Sequence, residues 1–181
     1  MIYSGSAISV QALGESAADY DIYSLTDSGE EVIHSQGRGT VVGIADEACE
    51  AALDVVAIRQ QCQTQLAGES VYELFSGAGL EYGPGHRGIV ALHTGIHEQL
   101  PHALGQLAMV DAEAVNGYGL HPGLLDSVLQ TTLGISLADP ATAGTVSLPF
   151  ALGSLRIYRP LPAEVYAWAC FSEGSKPGDA V

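Results

Sequence analysis

An apolar helical segment begins at His121 and Pro122 and sets the centre of the predicted fold. Proline is favoured in the first turn of a helix, where its missing N–H has no partner to lose. Apolar side chains then cover most of the circumference, at Leu124, Leu125, Val128, Leu129 and Leu133. A helix that is apolar nearly all round is a buried helix. We therefore predict a buried helix over residues 122–133.

The segments on either side of this helix have the pattern of β-strands. Residues 20–25 alternate apolar and polar side chains, as a half-buried strand does. Together with residues 2–13 and 32–44 they predict an antiparallel meander of three strands. Further strands are predicted over residues 88–92, 103–110, 145–150, 155–158 and 164–171. Strands wrapped around one apolar helix make an α+β fold, with a central helix covered by an antiparallel sheet.

A change of composition at Asp46 divides the chain. Residues 46–69 are rich in Ala, Glu and Gln, which predicts a weak helix or an irregular linker. Ser70 and Glu73 then have the spacing of a capping box, in which both side chains cap the first turn of a helix. We therefore predict a short helix over residues 71–78.

The charge balance excludes several classes of partner. Six Lys and Arg against 21 Asp and Glu give a net charge of −15. Such a surface repels phosphate backbones and anionic lipids, so we expect neither nucleic acid nor a membrane as a partner. No apolar run approaches the roughly 20 residues of a membrane span, and the N-terminus resembles no secretion signal. We expect a cytoplasmic protein.

The cysteines and histidines do not form the pattern of a metal site. The three cysteines are Cys49, Cys62 and Cys170. Their odd number and the absence of a CxxC pair disfavour both a disulfide scaffold and a zinc site. His93 and His97 are four residues apart, but we expect them, with His102, in a polar and solvated loop. We therefore expect no metal.

Two polar residues on the apolar helix are candidates for chemistry. Asp126 and Gln130 are four residues apart, so they lie on one face of the helix. A buried carboxylate needs partners or takes up a proton, and an amide four residues on can donate to it and fix its orientation. For this pair taken alone, the alternative is a polar edge of the helix that faces solvent.

Three motifs, in order, resemble those of the dehydratase domains of modular polyketide synthases. Residues 121–130, HPGLLDSVLQ, resemble the HPxxxDxxxQ motif of that family, and residues 82–88, YGPGHRG, resemble its YGPxFxG motif. His86 stands where the family usually has Phe. Residues 148–150, LPF, followed by Tyr158, resemble its LPF…Y segment. The resemblance covers essentially the whole chain.

The resemblance implies a double hotdog, in which two sheet-wrapped helices lie side by side in one polypeptide. Residues 1–45 are then expected to be closing strands of a first hotdog that is incomplete here. Residues 46–69 are expected to be a linker, and residues 70–181 a second hotdog around the helix of the HPxxxDxxxQ motif. The HxxxGxxxxP motif, which carries the catalytic base of the family, occurs at none of the six histidines. The chain is therefore interpreted as the C-terminal portion of a dehydratase.

The resemblance also assigns the chemistry. Members of the family remove water from a 3-hydroxyacyl thioester carried on the phosphopantetheine arm of an acyl carrier protein. Asp126 is then the catalytic acid that protonates the departing hydroxyl, and Gln130 orients it. We expect no other cofactor, and we expect the carrier protein and other synthase domains as partners. The sequence leaves a homodimer open.

Four residues of the motifs are expected to bind substrate: Tyr82, Pro84, His121 and Pro122. For Tyr82 the alternative is an aromatic side chain packed beside the Gly-Pro turn. For His121 the alternative is a cap of the helix or a support of the pocket. Contacts with the acidic carrier protein would need a basic group, and the candidates are Arg87, Arg156 and Arg159.

Two other functions stay open. The first is a dehydratase-like fold without catalysis, kept for scaffolding or for thioester binding inside a synthase. The missing base favours it, whereas the pair Asp126 and Gln130 argues against it, because a scaffold needs no such polar pair. The second is a separate hotdog protein that binds a thioester and receives its base from another chain.

Overall fold

The computed structural model describes residues 6–40, 52–138 and 151–172. The chain divides into two compact units, Met1–Cys49 and Glu50–Val181. The boundary lies within the segment where the composition changes, four residues after the point expected from the sequence.

The first unit contains a three-stranded antiparallel sheet in the order β1-β2-β3. Its strands are β1 (Ser6–Ala12), β2 (Ala17–Leu25) and β3 (Glu31–Thr40). A tight turn joins β2 to β3, in which the Glu30 amide donates to Thr26 Oγ1 at 3.0 Å and Gly29 has a φ of 82°. A left-handed φ of this kind favours glycine. The predicted meander is confirmed.

The second unit contains a four-stranded antiparallel sheet in the order β4-β5-β6-β7. Its strands are β4 (Cys62–Ala67), β5 (Ile89–His97), β6 (Leu100–Ala108) and β7 (Glu164–Cys170). Its α-helices are α1 (Val55–Gln60), α2 (Gly68–Gly77) and α3 (Pro122–Ala138). Two 3-10 turns lie at Pro84–His86 and Ala112–Val115.

Helix α3 is covered by this sheet, as its apolar circumference predicts. It packs against β5, β6 and β7, and none of residues 123–137 is exposed. Leu124 is fully buried, and Gly134 lets the helix approach Leu92 and Ala103 of the sheet. The α+β prediction, with a central helix under an antiparallel sheet, is confirmed.

The segment expected to be a linker contains regular structure. Within residues 46–69, α1 is followed directly by β4, an edge strand of the second sheet, so the prediction of a weak helix or irregular linker is wrong for β4. The predicted capping box is also wrong, because α2 begins at Gly68 and its N-cap, Ala67, makes no side-chain cap bond. A Cβ at Gly68 would overlap the Ile89 carbonyl, so the start of the helix lies directly against β5.

The predictions of a polar loop with three histidines and of a strand at residues 155–158 are also wrong. Residues 93–97 extend β5, and the turn to β6 places Glu98 and Gln99 at φ values of 49° and 69°. His93 and His102 are therefore buried in the sheet and not solvated in a loop. Residues 155–158 form no strand and are exposed. The strand predicted at residues 145–150, with the LPF segment, lies outside the described residues.

Candidate active site

The side chains of Asp126 and Gln130 are hydrogen-bonded on α3. Gln130 Nε2 donates to Asp126 Oδ2 at 3.0 Å, which is the contact that the four-residue spacing predicts. Gln130 is 2% exposed, whereas the Asp126 side chain is 34% exposed. The amide therefore holds the carboxylate from the buried side and leaves it open to solvent on the other.

The 3-10 turn Pro84–His86 brings a histidine to the same carboxylate. His86 Nδ1 lies 2.9 Å from Asp126 Oδ2, and the His86 backbone carbonyl accepts from Gln130 Nε2 at 2.9 Å. The His86 side chain is 53% exposed. Gln130 therefore binds both the Asp126 carboxyl group and the turn that carries His86.

Tyr72 of α2 completes the network, although it lies in none of the three motifs. Its hydroxyl accepts from the Ile89 amide at 3.0 Å and donates to Gln130 Oε1 at 3.0 Å. Burial raises the pKa of Tyr72, which keeps the hydroxyl protonated as a donor. The available signal was a tyrosine on the apolar face of a short helix, because a buried tyrosine hydroxyl needs a polar partner.

Two motif glycines allow the two motif segments to touch. A Cβ at Gly123 would overlap the backbone oxygen of Gly85, and a Cβ at Gly88 would overlap the side chain of Ser127. Ser127 Oγ instead accepts from the Gly88 amide at 3.1 Å and donates to the Gly123 carbonyl at 2.9 Å. Because neither position has a side chain, the turn that carries His86 can lie directly against the start of α3.

Tyr82 lies at the edge of this network. Its ring packs against Phe75 and Tyr72, with centroids 5.4 and 6.0 Å away. Burial raises the pKa of Tyr82, and the charge of Asp126 adds to this effect. Arg87 Nε donates to the Tyr82 carbonyl at 3.0 Å and its guanidinium lies 5.2 Å from the centre of the Tyr72 ring. Tyr82 is thus packed against two aromatic rings, as the alternative to substrate binding expects, and it also feels the charge of Asp126.

The other predicted substrate-binding residues lie at element starts. His121 caps α3: its carbonyl accepts from the amides of Leu124 and Leu125, and its Nδ1 accepts from the Gly123 amide at 3.2 Å. Pro84 and Pro122 are exposed and stand first in the 3-10 turn and in α3. Within the described residues, none of these three is hydrogen-bonded to Asp126.

A surface cavity of about 820 Å³ lies apart from these contacts, lined by residues 115–119 and 159–162. It approaches the start of α3 through Tyr118, whose ring lies 5.1 Å from that of His121. In the described ranges, no group of three His, Cys, Asp or Glu side chains is arranged to hold a metal ion. The described helices include none that is long and apolar enough to span a membrane.

Comparison with protein families and curated proteins identifies relatives. The family described as polyketide synthase dehydratase N-terminal domain matches residues 50–180. Polyketide synthase PksN of Bacillus subtilis is 34% identical over 165 residues, which is 90% of this chain and 3% of that protein. Polyketide synthase PksM of the same organism is 33% identical over 168 residues, which is 90% of this chain and 4% of that protein.

Solved structures give the same result. A trans-AT polyketide synthase dehydratase domain from Brevibacillus brevis has a TM-score of 0.73 at 33% identity, with 94% of this chain and 57% of that chain covered. The dehydratase domain from the CurF module of curacin polyketide synthase has a TM-score of 0.73 at 25% identity, with 91% and 57% covered. The chain spans little more than half of these domains and a few per cent of the synthases. The likeness to the two dehydratase structures confirms the predicted hotdog fold. The chain belongs to the polyketide synthase dehydratase family.

Proposed function

We propose that this chain supplies the acid for removing water from a 3-hydroxyacyl thioester. The observation that carries the proposal is the hydrogen bond from Gln130 Nε2 to Asp126 Oδ2, made by the one charged side chain of α3. The Gln130 amide fixes the direction of the carboxyl group. The Asp126 side chain is partly exposed, which makes the carboxyl group accessible to a substrate. An oriented and accessible carboxyl group is what a general acid needs.

In the proposed reaction, the Cα–H and Cβ–O bonds of the substrate break, and a second bond forms between Cα and Cβ. A base takes the α-proton, and the electron pair of that C–H bond forms the Cα=Cβ double bond. The Cβ–O bond breaks, and the departing hydroxyl takes the proton of Asp126 and leaves as water. The product is an α,β-unsaturated thioester. A positioned acid of this kind contributes about 10²–10⁴-fold to the rate.

In this proposal the base comes from outside these 181 residues. None of the six histidines stands in an HxxxGxxxxP pattern, and His86, which contacts the acid, is engaged with it through Nδ1. The chain would then be the C-terminal portion of a dehydratase, with the base on the segment that precedes it. The motif order supports this placement, although the family description uses the term N-terminal domain for the matched residues.

The partners follow from the same assignment. The substrate would arrive on the phosphopantetheine arm of an acyl carrier protein, so the chain itself would need no cofactor. The curated relatives are synthases of which this chain matches only 3% and 4%, which supports work beside other synthase domains. We propose a cytoplasmic location, and we leave a homodimer open.

A second candidate is a dehydratase-like module without catalysis that binds a thioester or serves as a scaffold. The missing base motif favours it. A third candidate is a separate hotdog protein that binds a thioester and receives its base from another chain.

The experiment that separates these candidates begins with the reading frame upstream of Met1. If HxxxGxxxxP lies there, the longer protein is expressed and given a pantetheine-bound 3-hydroxyacyl substrate, and mass spectrometry follows the loss of water. Turnover by the longer protein supports the dehydratase. Binding without turnover, or an upstream frame without the motif, supports the module without catalysis.

A further inference from the structure

We propose that His86 is a positioning residue for Asp126: it donates from Nδ1 to Oδ2 and thereby leaves the carboxyl proton on Oδ1. This inference rests on the proposed function of Asp126 as the acid. The YGPxFxG motif usually has Phe at this position. In this chain the position holds His86, and its ring makes the contact with Asp126.

The direction of the hydrogen bonds around Gln130 is fixed by groups that can act in only one way. The backbone amide of Ile89 can only donate, so the Tyr72 hydroxyl accepts from it. The Tyr72 hydroxyl then donates to Gln130 Oε1, since that oxygen can only accept. The two protons of Gln130 Nε2 are therefore the ones that serve the His86 carbonyl and Asp126 Oδ2.

The direction of these hydrogen bonds makes the two oxygens of Asp126 different from each other. Oδ2 accepts from Gln130 at 3.0 Å and faces His86 Nδ1 at 2.9 Å, and among the described residues both contacts go to Oδ2. In a carboxylic acid the carbonyl oxygen is a better acceptor than the hydroxyl oxygen. With His86 Nδ1 as the second donor on Oδ2, as proposed, the proton is favoured on Oδ1, where it is free to serve a departing hydroxyl.

The position of His86 makes it a suitable residue to change. Its ring is about half exposed and is not part of the apolar core, whereas its backbone carbonyl, which every substitution retains, anchors the turn to Gln130. A side chain change at this position should therefore remove the contact with Asp126 and leave the fold intact. Phe removes the donor, and Asn places an amide N–H near the position of Nδ1 without a group that titrates.

The first measurement uses the 181-residue chain and needs no activity. Nitrogen-15 NMR of the imidazole rings reports which ring nitrogen carries the proton. We expect His86 to carry it on Nδ1, and to lose this preference in Asp126→Ala. His121 serves as the internal reference, because its Nδ1 accepts from the Gly123 amide and must be unprotonated. A neutral His86 with an unprotonated Nδ1 in the wild-type chain would overturn the inference.

The second measurement uses the longer dehydrating protein. We expect His86→Phe to lower kcat about tenfold with little change in KM, the scale of one hydrogen bond to a reacting group. We expect His86→Asn to recover most of this loss, because it restores a donor. Full activity of His86→Phe, or an Asn variant as impaired as the Phe variant, would overturn the inference.

Asp126→Asn in the same protein separates this inference from the proposed function. If Asp126→Asn leaves turnover unchanged, the proposed function fails and the positioning role fails with it. If Asp126→Asn removes turnover while His86→Phe leaves kcat unchanged, only the positioning role fails.

Discussion

The Tyr72 hydroxyl donates to Gln130 Oε1 at 3.0 Å, across 58 positions of sequence. The contact joins α2 to α3 on the buried side of Asp126, and both residues are buried. The orientation of the Gln130 amide, which holds the Asp126 carboxyl group, therefore depends on a helix other than its own.

Tyr72→Phe should lower the free energy of unfolding by about 1–3 kcal/mol, because it leaves Gln130 Oε1 and the Ile89 amide without their partner in a buried place. The ring and its packing against Phe75 are retained. Chemical denaturation of the 181-residue chain measures the change. Tyr166→Phe is the matched control, since Tyr166 is exposed on β7 and should change stability by less than about 0.5 kcal/mol. Equal effects of the two changes would contradict a structural role for the Tyr72 hydroxyl.

Gly123→Ala should destabilise the chain, although alanine is the better helix former. A Cβ at Gly123 would overlap the backbone oxygen of Gly85, and backbone cannot move aside as a side chain can. We expect a loss of about 1–3 kcal/mol. Gly77→Ala is the matched control in α2, because nothing lies near its Cβ position and helix propensity alone should stabilise by about 0.5–1 kcal/mol. Thermal unfolding measures both, and a stabilising Gly123→Ala would show that the two motif segments are not in tight contact.

The helix α3 and its polar pair were predictable because their signals are local. The apolar circumference predicts burial, and a spacing of four residues predicts the contact between Asp126 and Gln130. The meander of the first unit has alternating strands and a glycine turn, which are also local signals.

The remaining features depend on residues distant in the chain. The role of Tyr72 needs Gln130, and the start of α2 at Gly68 is set by its contact with β5. The edge strand β4, CQTQLA, has two glutamines and a weak strand pattern, so pairing with β5 decides its structure. The turn between β5 and β6 places Glu98 and Gln99 at positive φ without the glycine or asparagine that would mark it.

Stability should fall as the pH is lowered through about 6.5, in part because of His93 and His102. Burial lowers the pKa of both from the 6.5 of a free histidine, aided by the charge of Arg59 at His93 and of His97 at His102. Below pH 6.5 the unfolded chain binds protons that the folded chain does not, so protonation favours unfolding. At His102, protonation would also break the bond that Trp168 Nε1 donates to Nδ1 at 3.1 Å.

His93→Leu isolates one part of this pH dependence. Among the described residues, His93 Nε2 has no hydrogen-bond partner, so replacing the ring breaks no hydrogen bond at this atom. We expect the variant to lose less stability than the wild type between pH 7.5 and pH 5.5, measured as the free energy of unfolding in urea. An unchanged difference between the two pH values would show that His93 does not contribute.

The 181 residues alone should not dehydrate a 3-hydroxyacyl thioester at an enzymatic rate. The chain has no histidine in the HxxxGxxxxP pattern, and loss of a general base costs about 10²–10⁴-fold. The assay is loss of water from a pantetheine-bound substrate. Rapid turnover would show that a residue of this chain serves as the base, and His86 would be the first to replace.

The proposed acid role of Asp126 is tested most directly by Asp126→Asn in a protein extended upstream to include an HxxxGxxxxP motif. Asn retains the shape of the side chain but has no proton to give to the departing hydroxyl, so we expect turnover to fall by about 10²–10⁴-fold. Asp27→Asn, an exposed carboxylate in the turn between β2 and β3, is the control and should leave turnover unchanged. The measurement is the initial rate of water loss by mass spectrometry, with circular dichroism to confirm that each variant is folded. A folded Asp126→Asn variant that dehydrates at the wild-type rate would contradict the account.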